Sequence, residues 1–456
     1  MNTATTNNTL SGARLSALNR RRFLTLSGVT AAGALVAGCT SHPINPAAVR
    51  AAATAAPLDP TAGVLVMVTL YGGNDGLNTL IPASDPVYLK SRPDLAYQAH
   101  DVLDLGSGLG LNPGMKGLKS LWDNKELAII RGVGYPQPDH SHFRSMAIWQ
   151  TASPATASTT GWLGRWLDDT GKDPLQAVSL DPVMPPLMAG ATRSAAAFPT
   201  GGLQLPSGAL GQALSLLGTP CEQDSAWQAA AATSISELKV VADKLNPAVA
   251  RAKTDQQTAG PAAPTSTAAP STAPTPSTPS SANPHGTDQQ GASAGGQSEL
   301  DIQLGLVAAM VEMGCPTRAY SVSLGGFDTH SDERGTQQRL LTELDTALSD
   351  FQRRLQSTDR GRQVVTMVYS EFGRRVIANA SEGTDHGTAG PMFVLGRGVK
   401  GGFFGDEPSL ADLDAGDLKV TTDFRSVYAT ALDSVLGVSP DKYLGGWNQR
   451  IDGLVA

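Results

Sequence analysis

Cysteine is scarce in this chain of 456 residues, which holds 3. That is too few for the disulfide framework that staples small exported domains. If Cys39 is used otherwise, only Cys221 and Cys315 are left, either bridged or as two unpaired buried thiols. Charge is sparse as well: charged residues make up 16%, the formal net charge is -7, and no basic cluster occurs beyond the N-terminal segment. This argues against a nucleic-acid partner. No apolar run reaches the roughly 20 residues that cross a bilayer as a helix. Aromatics are only 5%. A carbohydrate-binding surface built from the 6 tryptophans is therefore a weak reading, since such residues are more often core.

What is present begins at the N-terminus. Asn19-Arg20-Arg21-Arg22-Phe23-Leu24 precedes a weakly apolar run over residues 25–38, which ends in Leu35-Val36-Ala37-Gly38-Cys39. A basic stretch before a short apolar one is a targeting segment and stays out of the fold. Arg20 and Arg21 with the following Phe23-Leu24 resemble a twin-arginine export signal. The run into Cys39 resembles a lipobox, which implies cleavage before Cys39 and acylation of its thiol. The expectation is a signal peptide over 1–38 and a flexible tether over 39–62. The twin-arginine translocase would be a transient partner, and the protein would be anchored to the cell envelope through lipid, on the periplasmic or extracellular face.

Beyond the tether, residues 63–456 predict one α/β domain with a mostly parallel central sheet flanked by helices on both faces. Residues 63–71 (GVLVMVTLY) form a continuous apolar, β-branched run, the mark of a strand buried on both sides. Further strands are predicted at 127–133, 318–324, 364–369 and 392–395. Helical periodicity fits 115–124, 142–151, 225–245, 299–313, 332–355 and 423–436. Alternating strands and helices of this kind build a parallel sheet whose sites lie in loops at the strands' carboxyl ends. Residues 254–297 are almost wholly Ala, Pro, Ser, Thr, Gly and Gln, and read as a disordered insert within that domain.

The residues suited to metal chemistry fall in loops that follow or border these strands. Asp75 lies in LYGGNDGLN, His140, Ser141 and His142 in DHSHFRS, Asp328 and His330 in GGFDTH, Glu371 and Arg374 in SEFGR, and His386 in DHGT. Of the 7 histidines, His140, His142, His330 and His386 sit in these loops. Imidazole mixed with carboxylate suits zinc, manganese or iron better than calcium or magnesium. A hydroxyl at a helix N-terminus, such as that of Ser141, would meet amide donors and a dipole favourable to an anionic ester.

LYGGNDGLN, SHFRSMAIWQTA, GGFDTH, YSEFGRR, DHGTAGPMFVLG and DFRSVYATAL together resemble the bacterial family called domain of unknown function 1501. The resemblance runs from about Val64 to the C-terminus, across the insert. That family in turn resembles the alkaline phosphatase and sulfatase superfamily, which implies a central sheet carrying one or two divalent ions, zinc or manganese. It further implies Asp75, Asp328, His330, Glu371 and His386 as ligands, with Ser141, or His142 one residue on, near the nucleophile position. Apart from the resemblance, Arg374 in its loop could hold a phosphate or sulfate, or equally form a surface salt bridge. The match departs from the superfamily at Glu371-Phe372, where an Asp-His pair is usual, and no serine has a standard nucleophile flank. Cys315-Pro316-Thr317-Arg318 falls one residue short of the sulfatase Cys-x-Pro-x-Arg pattern, so Cys315 reads as core at a helix end. Two functions follow as expectations: a membrane-anchored hydrolase of small phosphate or sulfate esters, or a non-catalytic binding or assembly lipoprotein that keeps the fold with a partial metal site.

Overall fold

The computed structural model describes residue 59 and residues 61–171, 173–259 and 298–456. The signal segment with Arg20 and Arg21, the lipobox at Cys39, most of the tether, and residues 260–297 of the insert lie outside the described residues.

Among the described residues a nine-stranded sheet organises the fold. Its strands are β1 (Val64–Leu70), β2 (Leu127–Gly134), β3 (Ala177–Ser179), β4 (Ala196–Ala197), β5 (Ala319–Leu324), β6 (Val364–Ser370), β7 (Gly390–Gly396), β8 (Gly402–Phe404) and β9 (Thr422–Asp423). The order is β8-β2-β7-β6-β1-β5-β3-β4, with β9 also pairing β2. β1 lies between β5 and β6 and is parallel to both, in a register that sets Leu65 against Ala319 on one side and Val365 on the other. Only β7 runs against its neighbours, β2 and β6. The sheet is thus mostly parallel, as its unbroken apolar strands require.

Helices α1 (Pro86–Ser91) and α2 (Lys116–Asp123) lie between β1 and β2 in the chain, and α5 (Gly208–Leu217) follows β4. Side chains alternate across a strand, so β1 serves two cores. Val64, Val66, Val68 and Leu70 pack with Leu304, Val307 and Met310 of α7 (Glu299–Glu312) and with Leu341, Leu344 and Leu348 of α8 (Glu333–Leu355). Leu65 and Met67 face the other way. They join Trp149 of α3 (His142–Thr151), Trp162 and Trp166 of α4 (Trp162–Thr170), and Phe424 and Tyr428 of α9 (Phe424–Thr430). With Trp122 also buried, four tryptophans are core side chains.

Three expectations need correction or completion. The helix expected over 225–245 is longer: α6 runs from Ala226 to Ala259 with Pro247 inside it. Residues 254–259 therefore belong to this helix and not to the insert. An internal proline costs about 3 kcal/mol. Here the turns around it bury Leu245, Ala248, Val249 and Ala252 in the first core, which outweighs the missing N–H. Among the described residues the two cysteines are unpaired: Cys221 is exposed, and Cys315 is buried, which pushes its thiol up to about 11. Finally, the segment expected as one helix over 423–436 is α-helical only through Thr430 and then widens into a π turn over Ala431–Val435. Among the described residues no helix is long and apolar enough to cross a membrane.

Candidate metal centre

The carboxyl ends of β1, β2, β5 and β6 open on one side of the sheet, and their loops meet there. The loop after β1 is pressed against the loop after β5 so closely that a Cβ on Gly72 would lie 2.4 Å from the amide nitrogen of Asp328. Gly72 also holds φ +114, and Gly73 beside it holds φ +72 with the Phe372 ring 2.2 Å from its hypothetical Cβ. Only glycine fits both the space and the backbone angle. Gly72→Ala is expected to cost about 2–4 kcal/mol of stability by strain and overpacking. Chemical denaturation checks this, and a variant as stable as the parent would show that the two loops can part freely.

At the meeting point, one oxygen is the focus. Oδ1 of Asp328 lies 2.8 Å from the Arg374 guanidinium, 3.0 Å from His330 Nε2, 3.2 Å from His386 Nε2 and 3.4 Å from His142 Nε2. His330 Nε2 and His386 Nε2 are themselves 2.9 Å apart. The Nδ1 of His386 lies 2.7 Å from the backbone carbonyl of His140. A carbonyl only accepts, so that nitrogen carries the proton and Nε2 presents a lone pair. His142 Nε2 is buried and, at 3.4 Å and poorly aligned with Asp328, has no hydrogen-bond partner.

Electrostatics follow from this crowding. Partial burial would raise the Asp328 carboxyl, but the facing His142, His386 and Arg374 hold it far below the usual carboxylate range. Burial works against a charged His142 too, yet the facing carboxylates of Asp328 and Glu371 raise it to about 9. His330 is shifted down, first by burial, with the nearby Arg374 guanidinium adding to it against the pull of Asp328.

The donor set fits a divalent ion. One ligand atom each from His142, Asp328 and His386 lies within 4.8 Å of the others. Two imidazoles with a carboxylate suit zinc, manganese or iron, and a partnerless buried Nε2 is a group that needs one. His330 borders this set and is close enough to Asp328 and His386 to join it.

The other residues read from the sequence stand apart. Asp75 is not a ligand: it is fully buried, and Arg92 clasps its carboxylate at 2.5 and 3.0 Å. Glu371 is 2% exposed and also outside the group, with Oε1 accepting from the Gly72 amide and facing His142 Nδ1, each at 2.9 Å. Arg374 is not open to an anionic substrate. Its side chain is fully buried and its donors go to the carbonyls of Gly72, Gly73, Phe327 and Thr384 and to Asp328, so it ties the β1, β5 and β6 loops together. Ser141 is the exposed N-cap of α3, its Oγ 3.5 Å from the Arg144 amide. His140 turns away to Asp417, 2.8 Å from its Nε2, and contributes only its carbonyl. The Phe372 ring packs on His142 and His386, with centroids 4.9 and 4.8 Å away. Arg92, Asp417 and Glu333, which complete these networks, carried no local sequence signal.

Among solved structures, the chain is similar to a protein of the alkaline phosphatase superfamily from Vibrio parahaemolyticus, at 12% identity and TM-score 0.37, covering 88% of this chain and 77% of that one. It is also similar to a 2-O GAG sulfatase, at 12% identity and TM-score 0.30, covering 86% and 76%. A phosphonate monoester hydrolase from Silicibacter pomeroyi matches at 10% identity and TM-score 0.32, covering 85% and 77%. Likeness this distant says nothing of substrate. No curated protein matches the sequence. A family model does, over residues 62–455, and by that match the chain belongs to the family described as protein of unknown function, DUF1501.

Proposed function

We propose that this chain is an exported, lipid-anchored metallohydrolase of small phosphate or sulfate esters, with a single divalent ion, zinc or manganese, held by His142, Asp328 and His386. The observation that carries the reading is that His142, Asp328 and His386 bring one ligand atom each within 4.8 Å of one another, with the buried Nε2 of His142 facing Asp328 at 3.4 Å without a hydrogen bond. One ion fits better than two, because Asp75 is spent on Arg92 and Glu371 stands behind His142. Such an ion supplies charge stabilisation on the ester's oxygens. The protein's own part is to hold the ligands rigid through Arg374, to set His330 at the rim, and to offer the Ser141 hydroxyl at the start of α3. The test is turnover of aryl phosphates and aryl sulfates by the metal-loaded protein. An Asp328→Asn variant is expected to lose on the order of 10²-fold or more in kcat/KM, and equal turnover in that variant sinks the assignment.

A second reading, a non-catalytic binding or assembly lipoprotein, draws on two observations: Arg374 has no free face for an oxyanion, and Phe372 occupies the flank of the histidines. Stoichiometric metal with no turnover of any ester would favour it. Export and anchoring are tested separately. Lysines at Arg20 and Arg21 are expected to leave the protein in the cytoplasm, and Cys39→Ser to release the exported protein from membranes. Unchanged fractionation of either variant removes the corresponding claim.

A further inference from the structure

Glu371 is the least exposed carboxylate touching the centre, and both of its oxygens are engaged. Oε1 accepts from the Gly72 amide and meets His142 Nδ1, each at 2.9 Å, while Ser370 Oγ lies 2.9 Å from Oε2. The carboxylate sits between the end of β6 and the loop after β1, whose glycines leave no slack. It is therefore not placed to swing round and ligate. On the metal reading of the preceding section, we propose that Glu371 is the positioning residue of the centre: its carboxylate accepts a hydrogen bond from the Nδ1–H of His142, fixes that ring's tautomer, and makes Nε2 a stronger metal donor.

The two ligand histidines differ in what backs them. His386 Nδ1 donates to a neutral backbone carbonyl, that of His140. His142 Nδ1 faces an ionisable carboxylate that is 2% exposed and poorly screened by water. A carboxylate behind an imidazole raises its basicity and locks its orientation, and losing such a partner typically costs 10–100-fold in metal affinity. Ser145 adds to the precision of the arrangement, because its hydroxyl donates to the Glu371 carbonyl from the first turn of the helix that His142 begins. The side chain and the backbone of Glu371 thus both hold the start of α3.

The experiment uses the full-length protein stripped of metal. Zinc affinity is measured by competition with a chromophoric chelator, and the ligand field by the visible absorption of bound cobalt(II), for the parent, Glu371→Ala, Glu371→Gln and His142→Ala. Glu371→Ala is expected to bind zinc about 10–100-fold more weakly than the parent, with a moved cobalt band. Glu371→Gln keeps an oxygen acceptor without the charge and should fall between the two. If alanine prevents folding, the glutamine variant decides, with an expected loss of up to about 10-fold and the same direction of band shift. Parent-like affinity and spectrum in the Glu371 variants would overturn the positioning role. Binding as poor as in His142→Ala would also overturn it, in favour of Glu371 as a ligand. A parent that binds neither ion would bring down the centre itself, a failure distinct from the other two.

Discussion

Replacing both His142 and His386 by alanine is expected to weaken zinc binding by on the order of 10⁴-fold. A protein zinc site is worth about 10–16 kcal/mol. Spread over about four donors this is roughly 3 kcal/mol each, and two lost donors give some 6 kcal/mol, or about four decades. Metal content of the protein isolated from its native cell, beside this double variant, is the direct measurement, and equal content would place the metal elsewhere. Proton competition gives a second signature. His142 is raised to about 9, so below that pH it is charged in the metal-free protein and must release its proton to bind. Zinc affinity is expected to climb by about one decade per pH unit toward pH 9 and then flatten. The metal-free protein should trend the other way. The ion pairing of His142 contributes stability fully below 6.5, its unfolded value, and loses it as pH rises through about 9. Opposite pH slopes for the two forms are difficult to obtain from any site that does not include His142.

The framework of this centre was readable because the signals were local. Apolar β-branched runs gave the strands at Val64–Leu70, Ala319–Leu324 and Val364–Ser370, and the unusual residues follow each of them directly. The helix at His142–Thr151 fell where Ser141 offers a cap. Local reading failed where a residue's role depends on a distant partner. Asp75 follows a buried strand as a metal ligand would, but the arginine that claims it is 17 residues on, at the end of the short helix Pro86–Ser91. Arg374 looks like an anion clamp until three backbone segments from opposite ends of the chain take up its donors. The short strands Ala177–Ser179 and Ala196–Ala197 went unread because two or three residues show no period. Pro247 stops a helix in sequence logic, and only the apolar contacts on either side show why it does not here.

Asp75, Arg92 and Glu333 form a second ionic group apart from the candidate ligands, and its variants should move stability in opposite directions. Asp75, Arg92 and Glu333 are each 0% exposed. Arg92 bonds both oxygens of Asp75 and also donates to the carbonyls of Val376 and Arg375. Glu333 lies against Asp75, its Oε1 meets no donor, and burial together with the neighbouring Asp75 charge raises its carboxyl to about 9. A neutral Glu333 that donates to Asp75 resolves this. Arg92→Met leaves the Asp75 charge buried and uncompensated, at an expected cost of about 3–5 kcal/mol. Glu333→Gln should do the reverse above acidic pH. A raised carboxyl contributes its full stability below its unfolded value of 4.5 and loses it as pH climbs through about 9. The amide mimics the protonated acid and has no proton to lose. The variant is therefore expected to match the parent at pH 4 and to be the more stable at pH 8, by up to about 5 kcal/mol. Urea unfolding at the two pH values checks both variants. A Glu333→Gln protein destabilised equally at both would mean that Glu333 is ionised in the native state and that Arg92 compensates two charges at once. Neither residue belongs to the ligand group, so metal stoichiometry in Glu333→Gln should stay at the parent's value, and a change there would show that this buried pair and the histidines act as one unit.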